Sequence, residues 1–161
     1  MLPNPKPFLG KIFADLAKHS YLEVSPYPID HICYRVASME RYFELKTALL
    51  SQNELLTEST INGRPIATFR LQEAIKYREQ NIELLELPSP KPGSDYPEGY
   101  EHIEFVIGED PAKWIGQFPA LDWDKKGLQK AINSDVRLKL SNGYSVKFHE
   151  YPLDYVIEFL D

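Results

Sequence analysis

The sequence contains only one cysteine, Cys33, among its 161 residues. A single thiol cannot form a disulfide within the chain, so the composition favours a reducing compartment, and we expect the cytoplasm. No run approaches the roughly 20 apolar residues of a membrane span. Positive charge is also short: 18 Lys and Arg against 24 Asp and Glu give a net charge of -6. This balance argues against nucleic acid or an anionic membrane as the main partner.

The remaining composition is that of a globular domain, with 43% hydrophobic and 26% charged residues. At this length we expect one domain, or two small modules that share a core, present as a monomer or a homodimer. Residues 1–25 are predicted to carry an N-terminal helix. Leu9, Ile12, Phe13 and Leu16 have helical spacing there and form an apolar stripe that can pack on the outside of the following segments.

The chain contains an internal repeat. "DHI" at Asp30 recurs as "EHI" at Glu101, each time at the head of a segment that alternates like a strand. "IELLE" at Ile82 recurs as "IEFLD" at Ile157. An Asn-Gly pair lies between the two landmarks in both halves. Three landmarks in the same order predict a duplicated module.

The Asn-Gly pairs, 62–63 and 142–143, are typical of tight two-residue hairpin turns. Each module is then predicted to contain a strand, a helix, a strand, a hairpin and a final strand. The predicted bounds are 26–87 for module 1, 88–99 for a linker rich in proline, and 100–161 for module 2. Residues 121–135 are expected to form a short helix or a loop.

The repeat places four titratable residues at equivalent positions. His31 and His102 open the first strands, and Glu83 and Glu158 lie in the predicted closing strands. A carboxylate with apolar neighbours on its own strand face is costly to bury unless a positive charge neutralises it. One divalent metal ion would satisfy all four side chains, since imidazole and carboxylate are both suitable ligands.

Other interpretations of these residues stay open. The histidines could be hydrogen-bonded within the sheet, and the acids could pair with arginine or lysine. Glu86 and Glu150 compete with Glu83 and Glu158 as ligands, because "LELP" and "HEYP" can also be aligned. Strand parity and the "IEFLD" match favour Glu83 and Glu158. Cys33 is expected to be a small buried hydrophobic residue.

The paired modules resemble the vicinal oxygen chelate superfamily, which includes glyoxalase-type isomerases, epimerases, extradiol dioxygenases and antibiotic-resistance proteins. More closely, "PIDHICYRV", "LLELPSPKPGSDYPEGYEHIEFVI" and "VKFHEYPLDY" resemble the YecM family. The resemblance implies an α+β fold in which two tandem βαβββ modules form a U-shaped, eight-stranded mixed sheet, with the N-terminal helix added. It also implies one metal ligand on each outer strand, which corresponds here to His31, Glu83, His102 and Glu158.

The resemblance further implies a metal-dependent enzyme of glyoxalase or epimerase type that acts on a small oxygenated metabolite. The cofactor would be one divalent ion, Zn, Ni, Mn or Fe, with Glu83 or Glu158 as the catalytic base. Arg35 is a candidate clamp for a substrate carboxylate, and Glu104 and His149 are candidate substrate-binding residues. A dioxygenase-like oxidoreductase and a metal-free binding protein of the resistance type are the alternatives.

Overall fold

The computed structural model describes residues 1–19, 22–93 and 95–160. It shows one mixed sheet of eight strands with helices packed against it. None of the described helices is long and apolar enough to cross a membrane. The helices are α1 (Lys6–Leu16), α2 (Met39–Leu50), α3 (Pro111–Trp114) and α4 (Leu153–Tyr155). The strands are β1 (Ile29–Arg35), β2 (Glu54–Ile61), β3 (Arg64–Tyr77), β4 (Gln80–Pro88), β5 (Gly99–Val106), β6 (Trp123–Asp124), β7 (Asp135–Lys139) and β8 (Ser145–His149).

The strand order shows the duplication. It runs β2-β3-β4-β1-β5-β8-β7-β6, with β1 and β5 antiparallel at the centre. On one side β1 pairs in parallel with β4, and on the other β5 pairs in parallel with β8. Each half therefore places its first strand beside its last strand. The predicted fold class, two tandem βαβββ modules with an added N-terminal helix, is confirmed.

The hydrophobic core lies between the helices and one face of the sheet. Ile32 and Tyr34 of β1 are buried in this core, as the alternation predicts. Leu9 and Ile12 of α1 are fully buried against it, and so is Trp114 of α3. Neighbouring residues of a strand point to opposite faces. The polar residues that alternate with the core residues therefore lie on the other face of the sheet.

The predicted closing strand of the second module is wrong. The last strand is β8, and the chain turns at Pro152 into α4 and a single π-helical turn over Val156–Leu160. The outermost strand of that half is instead β6, which lies in the stretch expected to be a helix or loop. Tyr151, Tyr155 and Phe159 stack at a spacing of four residues, with ring centroids 5.7 and 5.0 Å apart. That spacing is helical, and it was a signal in the sequence against a strand.

Both Asn-Gly pairs lie in hairpin turns, but only the first is a two-residue turn. The second is longer, since the Leu140 N–H donates to the Tyr144 carbonyl and leaves residues 141–143 in the turn. Asn62 and Gly63 have φ of 50° and 78° and join β2 to β3 at the pair Ile61–Arg64. Gly143, with φ of 86°, lies in the turn from β7 to β8. The two turns are not at corresponding corners of the sheet, because the counterpart of β2–β3 in the second module is β6–β7.

Replacing Gly63 or Gly143 by alanine is expected to lower the free energy of unfolding by about 1 kcal/mol, because a side chain is disfavoured at positive φ. Gly116 is the matched control, since its φ is not in the left-handed region and an added Cβ meets open space. Urea unfolding of the three variants measures the difference. An equal, near-zero effect at all three glycines would contradict this account of the turns.

Candidate functional site

A cavity of about 610 Å³ lies on the face of the sheet opposite the core. His31 of β1, Glu86 of β4, His102 and Glu104 of β5, and Lys147 of β8 all line it. Both histidines are almost completely buried, at 2% and 4% exposure. The four central strands of the sheet thus each contribute a charged or titratable side chain to one pocket.

The register of the central strands explains this convergence. In the antiparallel β1–β5 pair, His31 lies opposite Glu104 and Cys33 lies opposite His102. Paired residues of neighbouring strands point to the same face, so all four side chains face the cavity. The two histidine rings are 6.4 Å apart. In the parallel β1–β4 pair, Glu86 is the partner of Cys33, which adds a carboxylate to the same face.

An acidic residue directly before each histidine fixes its ring. Asp30 Oδ2 lies 2.7 Å from His31 Nδ1, and Glu101 Oε2 lies 2.6 Å from His102 Nδ1. The β1–β5 register shifts between Ile29 and His31, which leaves Asp30 as an extra residue that can turn towards its neighbour. With Nδ1 donating to a carboxylate, Nε2 of each ring is directed towards the cavity and towards Glu104. Metal-binding histidines commonly have this second hydrogen bond.

Glu104 lies at the centre of the cluster. Its Oε1 is 3.0 Å from His102 Nε2, 3.3 Å from His31 Nε2 and 3.4 Å from Lys147 Nζ. Its Oε2 is 3.2 Å from Nε2 of His149, the last residue of β8. Although it lies 3.3 Å from Glu104 Oε1, the buried His31 Nε2 forms no well-directed hydrogen bond with any described residue.

Opposite charges in this cluster stabilise the ionised forms of one another. Burial alone would raise the pKa of Glu104, but Lys147 and the neighbouring histidines hold it well below the usual range. Burial opposes charge on His31 as well, while Glu104 and Asp30 raise its pKa well above 6.5. For His149 burial has the same effect, and Asp30 and Glu104 together raise its pKa to about 9.

Cys33 lies next to His102 on the cavity wall. Burial raises the pKa of its thiol above the usual value, which favours the neutral form. A buried neutral thiol is a poor nucleophile. This agrees with the expectation of a small buried hydrophobic residue.

Three groups of described residues could hold a metal ion: Asp30–His31–His149, Cys33–Glu101–His102 and His31–Glu86–His102. The third joins residues of three strands around the cavity. His31, Glu86 and His102 can each offer one ligand atom, and all three atoms lie within 4.8 Å of one another. Ligands bonded to one ion at about 2.0–2.2 Å lie roughly 3.0–3.5 Å apart. The contacts of Glu104 Oε1 with the two Nε2 atoms fall in this range, and His31 Nε2 is 3.9 Å from Glu86 Oε2. The residues therefore fit a divalent ion, with Glu104 as a possible fourth ligand.

The structure does not bring Glu83 and Glu158 to the histidines. Glu83 is exposed, accepts a hydrogen bond from Asn81 and lies 3.7 Å from Arg70. It shares the parity of Leu85 and Leu87, and both of these leucines belong to the core. Glu158 is exposed on the helical segment after β8. Of the two alternatives, Glu86 lines the cavity, whereas Glu150 is not among the described residues that line it.

The predicted substrate-binding residues all lie at the cavity. Arg35 lines its wall, with its guanidinium 3.9 Å from the centre of the Tyr96 ring and 3.7 Å from Glu101 Oε1. The acid next to Arg35 is thus Glu101. Glu104 and His149 are part of the buried cluster itself.

Sequence reasoning missed Asp30, Glu101 and Lys147. The first two had a signal, because the repeated unit is an acid followed by His-Ile, and the acid was not assigned a role. Lys147 also had a signal, because it shares strand parity with His149, but it was considered only as a partner for an acid and was assigned no role in the site.

Comparison with known proteins supports the fold and the family. The family model described as YecM protein matches residues 2–143. The chain belongs to the YecM family. Protein YecM of Escherichia coli (strain K12) is 28% identical over 160 residues, which cover 89% of this chain and 84% of that protein. An uncharacterized protein of Haemophilus influenzae is 36% identical over 104 residues, and the match covers 64% of this chain and only 54% of the relative.

Solved structures share the fold of this YecM protein. The structural-genomics protein EC4020 has a TM-score of 0.77 at 25% identity, with 96% of this chain and 88% of that chain covered. A methylmalonyl-CoA epimerase in complex with methylmalonyl-CoA and NH4+ has a TM-score of 0.52 at 14% identity, covering 76% and 93% of the two chains. These likenesses confirm the fold that the resemblance implies.

The cluster predicts a pH dependence of stability in chelator-treated protein. The folded-state pKa of His149, about 9, is above the value of 6.5 for an unperturbed histidine. Its contribution is therefore complete below pH 6.5 and is lost as the pH rises through 9. We expect the free energy of unfolding to fall by up to about 3 kcal/mol between pH 6.5 and 9.5, measured by urea unfolding. The variant His149→Asn should show a smaller fall, and an identical fall in both proteins would contradict the assignment.

Proposed function

We propose that this YecM protein is a metal-dependent enzyme that acts on a small oxygenated metabolite through a single divalent ion, Zn, Ni, Mn or Fe. His31, Glu86 and His102 would hold the ion. The observation that carries the proposal is the convergence of these three side chains, from three different strands, on one point of a large cavity. Two of the three come from the repeated unit, one from each half of the chain.

The residues behind the ligands support this role. Asp30 and Glu101 fix both histidine rings with Nε2 directed at the cavity, as metal-binding histidines require. His31 Nε2 is a buried nitrogen that has no well-directed hydrogen bond with a described residue, and such an atom is expected to be satisfied by a ligand. Glu104 lies against both Nε2 atoms and would add negative charge beside the ion.

The bound ion would act as a Lewis acid that stabilises negative charge on a substrate oxygen. Glu86 is half-buried at the cavity wall and could take up a proton from the substrate. Lys147 and the histidines keep Glu104 ionised, so we assign to it an electrostatic rather than a proton-transfer role. Arg35 could bind a substrate carboxylate, because its guanidinium is positioned by Tyr96 and Glu101.

The number of ligands bears on the reaction class. With Glu104 as a fourth ligand, a six-coordinate ion would leave room for a substrate with two neighbouring oxygens, which favours isomerase-like or epimerase-like chemistry. With only His31, His102 and Glu86, the set is the two-histidine, one-carboxylate arrangement of iron oxygenases. A dioxygenase-like reaction is therefore the second candidate, and a strict requirement for Fe(II) would favour it.

One observation favours a metal-free binding protein instead. Lys147 and Glu86 occupy equivalent positions in the two halves of the sheet. Glu86 is the cross-strand partner of Cys33, which lies two residues after His31. Lys147 is the cross-strand partner of Glu104, which lies two residues after His102. The second half thus supplies an ammonium group in place of a carboxylate. An ammonium group cannot be a ligand while it is charged, and it weakens the attraction for a cation.

Metal titration of matched glutamate variants tests the proposal. Glu86→Gln and Glu83→Gln change two acids of the same strand, only one of which lines the cavity. We expect Glu86→Gln and His31→Ala to weaken the binding of the preferred ion by at least about tenfold, and Glu83→Gln to leave it unchanged. Calorimetric titration and the thermal shift of chelator-treated protein measure the affinity.

Two outcomes would contradict the proposal. Wild-type protein that binds none of the four ions would exclude the metal centre. An effect of Glu83→Gln as large as that of Glu86→Gln would show that the cavity carboxylate has been misassigned.

A further inference from the structure

A basic groove of about 390 Å³ adjoins the cavity on the side of the second module. Four residues line both the groove and the cavity, so the two spaces are continuous: Lys130, Asp135, Arg137 and Lys147. The cationic residues that line the groove are Lys126, Lys130, Arg137, Lys139 and Lys147, and its acidic residues are Asp124 and Asp135. The groove is therefore positive in a chain whose net charge is -6.

The sheet register connects this groove to the site. One row of paired residues crosses four strands: Arg137 of β7 pairs with Lys147 of β8, Lys147 with Glu104 of β5, and Glu104 with His31 of β1. Neighbouring strands are about 4.8 Å apart, so Arg137 lies roughly 10 Å along the row from Glu104. A small molecule about 10 Å long can therefore contact both Arg137 and Glu104.

Arg137 is available to bind a ligand. Within the described part of the chain its side chain forms no hydrogen bond or ion pair. Lys130, in contrast, is paired with Asp135, and Lys147 with Glu104. Lys126 and Lys139 are exposed at the rim. Glu101 and Asp124 interact with its guanidinium electrostatically at longer range. A half-buried guanidinium whose N–H groups are not hydrogen-bonded is suited to an oxyanion that accepts two parallel hydrogen bonds.

We propose that the substrate carries a phosphoryl group, which Arg137 binds in the basic groove while the other end of the molecule reaches the histidine cluster. The inference rests on the proposed function, because it takes the molecule bound at the histidine cluster to be the same substrate that extends into the groove. With Lys130 paired with Asp135 and Lys147 with Glu104, the groove keeps two net positive charges, which match a phosphoryl dianion better than a single carboxylate. Lys130, Lys139 and Lys126 would add longer-range attraction.

Nuclear magnetic resonance titration of chelator-treated, metal-free protein tests the subsite. The probes are inorganic phosphate and succinate at matched ionic strength, and the readout is the Nε–H signal of Arg137 together with the amide signals of β7 and β8. We expect saturable phosphate binding that Arg137→Gln weakens by about tenfold or more. Arg137→Lys, which keeps the charge but loses the two parallel N–H donors of the guanidinium, should retain part of the affinity. Arg78→Gln, in the turn from β3 to β4, is the matched control and should bind as the wild type does.

Each alternative outcome would overturn the inference. Equal phosphate affinity in wild type, Arg137→Gln and Arg78→Gln would show that no subsite exists at Arg137. Tighter, Arg137-dependent binding of succinate than of phosphate would make the group a carboxylate. Because the titration uses metal-free protein, failure of the metal centre leaves its result unaffected, and loss of phosphate binding leaves the metal titration unaffected.

Discussion

The antiparallel pairing of β1 with β5 is the contact on which the rest of the structure depends. It joins the two halves of the sheet, and its register places Cys33 opposite His102 and Glu104 opposite His31. A shift of this register by one residue would send one set of polar side chains into the hydrophobic core. Ile32 and Ile103, which are paired in the same ladder and fully buried, make such a shift costly. Packing on one face thus fixes the geometry of the cavity on the other.

Burial of charge is the second constraint. Asp30, Glu104 and three histidines are all less than a tenth exposed, and isolated ions in such positions would be strongly destabilising. The structure compensates by alternating acids with bases across neighbouring strands, so that Glu104 contacts His31, His102, His149 and Lys147. Buried polar networks of this kind make a structure rigid, because each side chain is held by several neighbours and loss of one member would leave another charge unpaired. Rigidity is what a binding site needs to hold ligand atoms in place.

The sequence predicts the fold class, the two hairpin turns and the position of both histidines, because each depends on a local signal or on the repeat. The sequence does not predict correctly which carboxylates face the cavity, and the reason is physical. β4 is buried on both faces, with Leu84 on the side of the cavity and Leu85 on the side of the core, so alternation does not show which face is which. The match of "IELLE" to "IEFLD" then transferred the error to Glu158. The helical spacing of three aromatic residues outweighs that short match.

Anomalous X-ray diffraction from crystals grown with Mn(II) or Zn(II) tests the central claim most directly. The account predicts one peak per chain in the cavity, within bonding distance of Nε2 of His31, Nε2 of His102 and a carboxylate oxygen of Glu86. A peak bound by Glu83 or Glu158, or no peak in the cavity at a concentration of the ion that saturates the protein in solution, would contradict it.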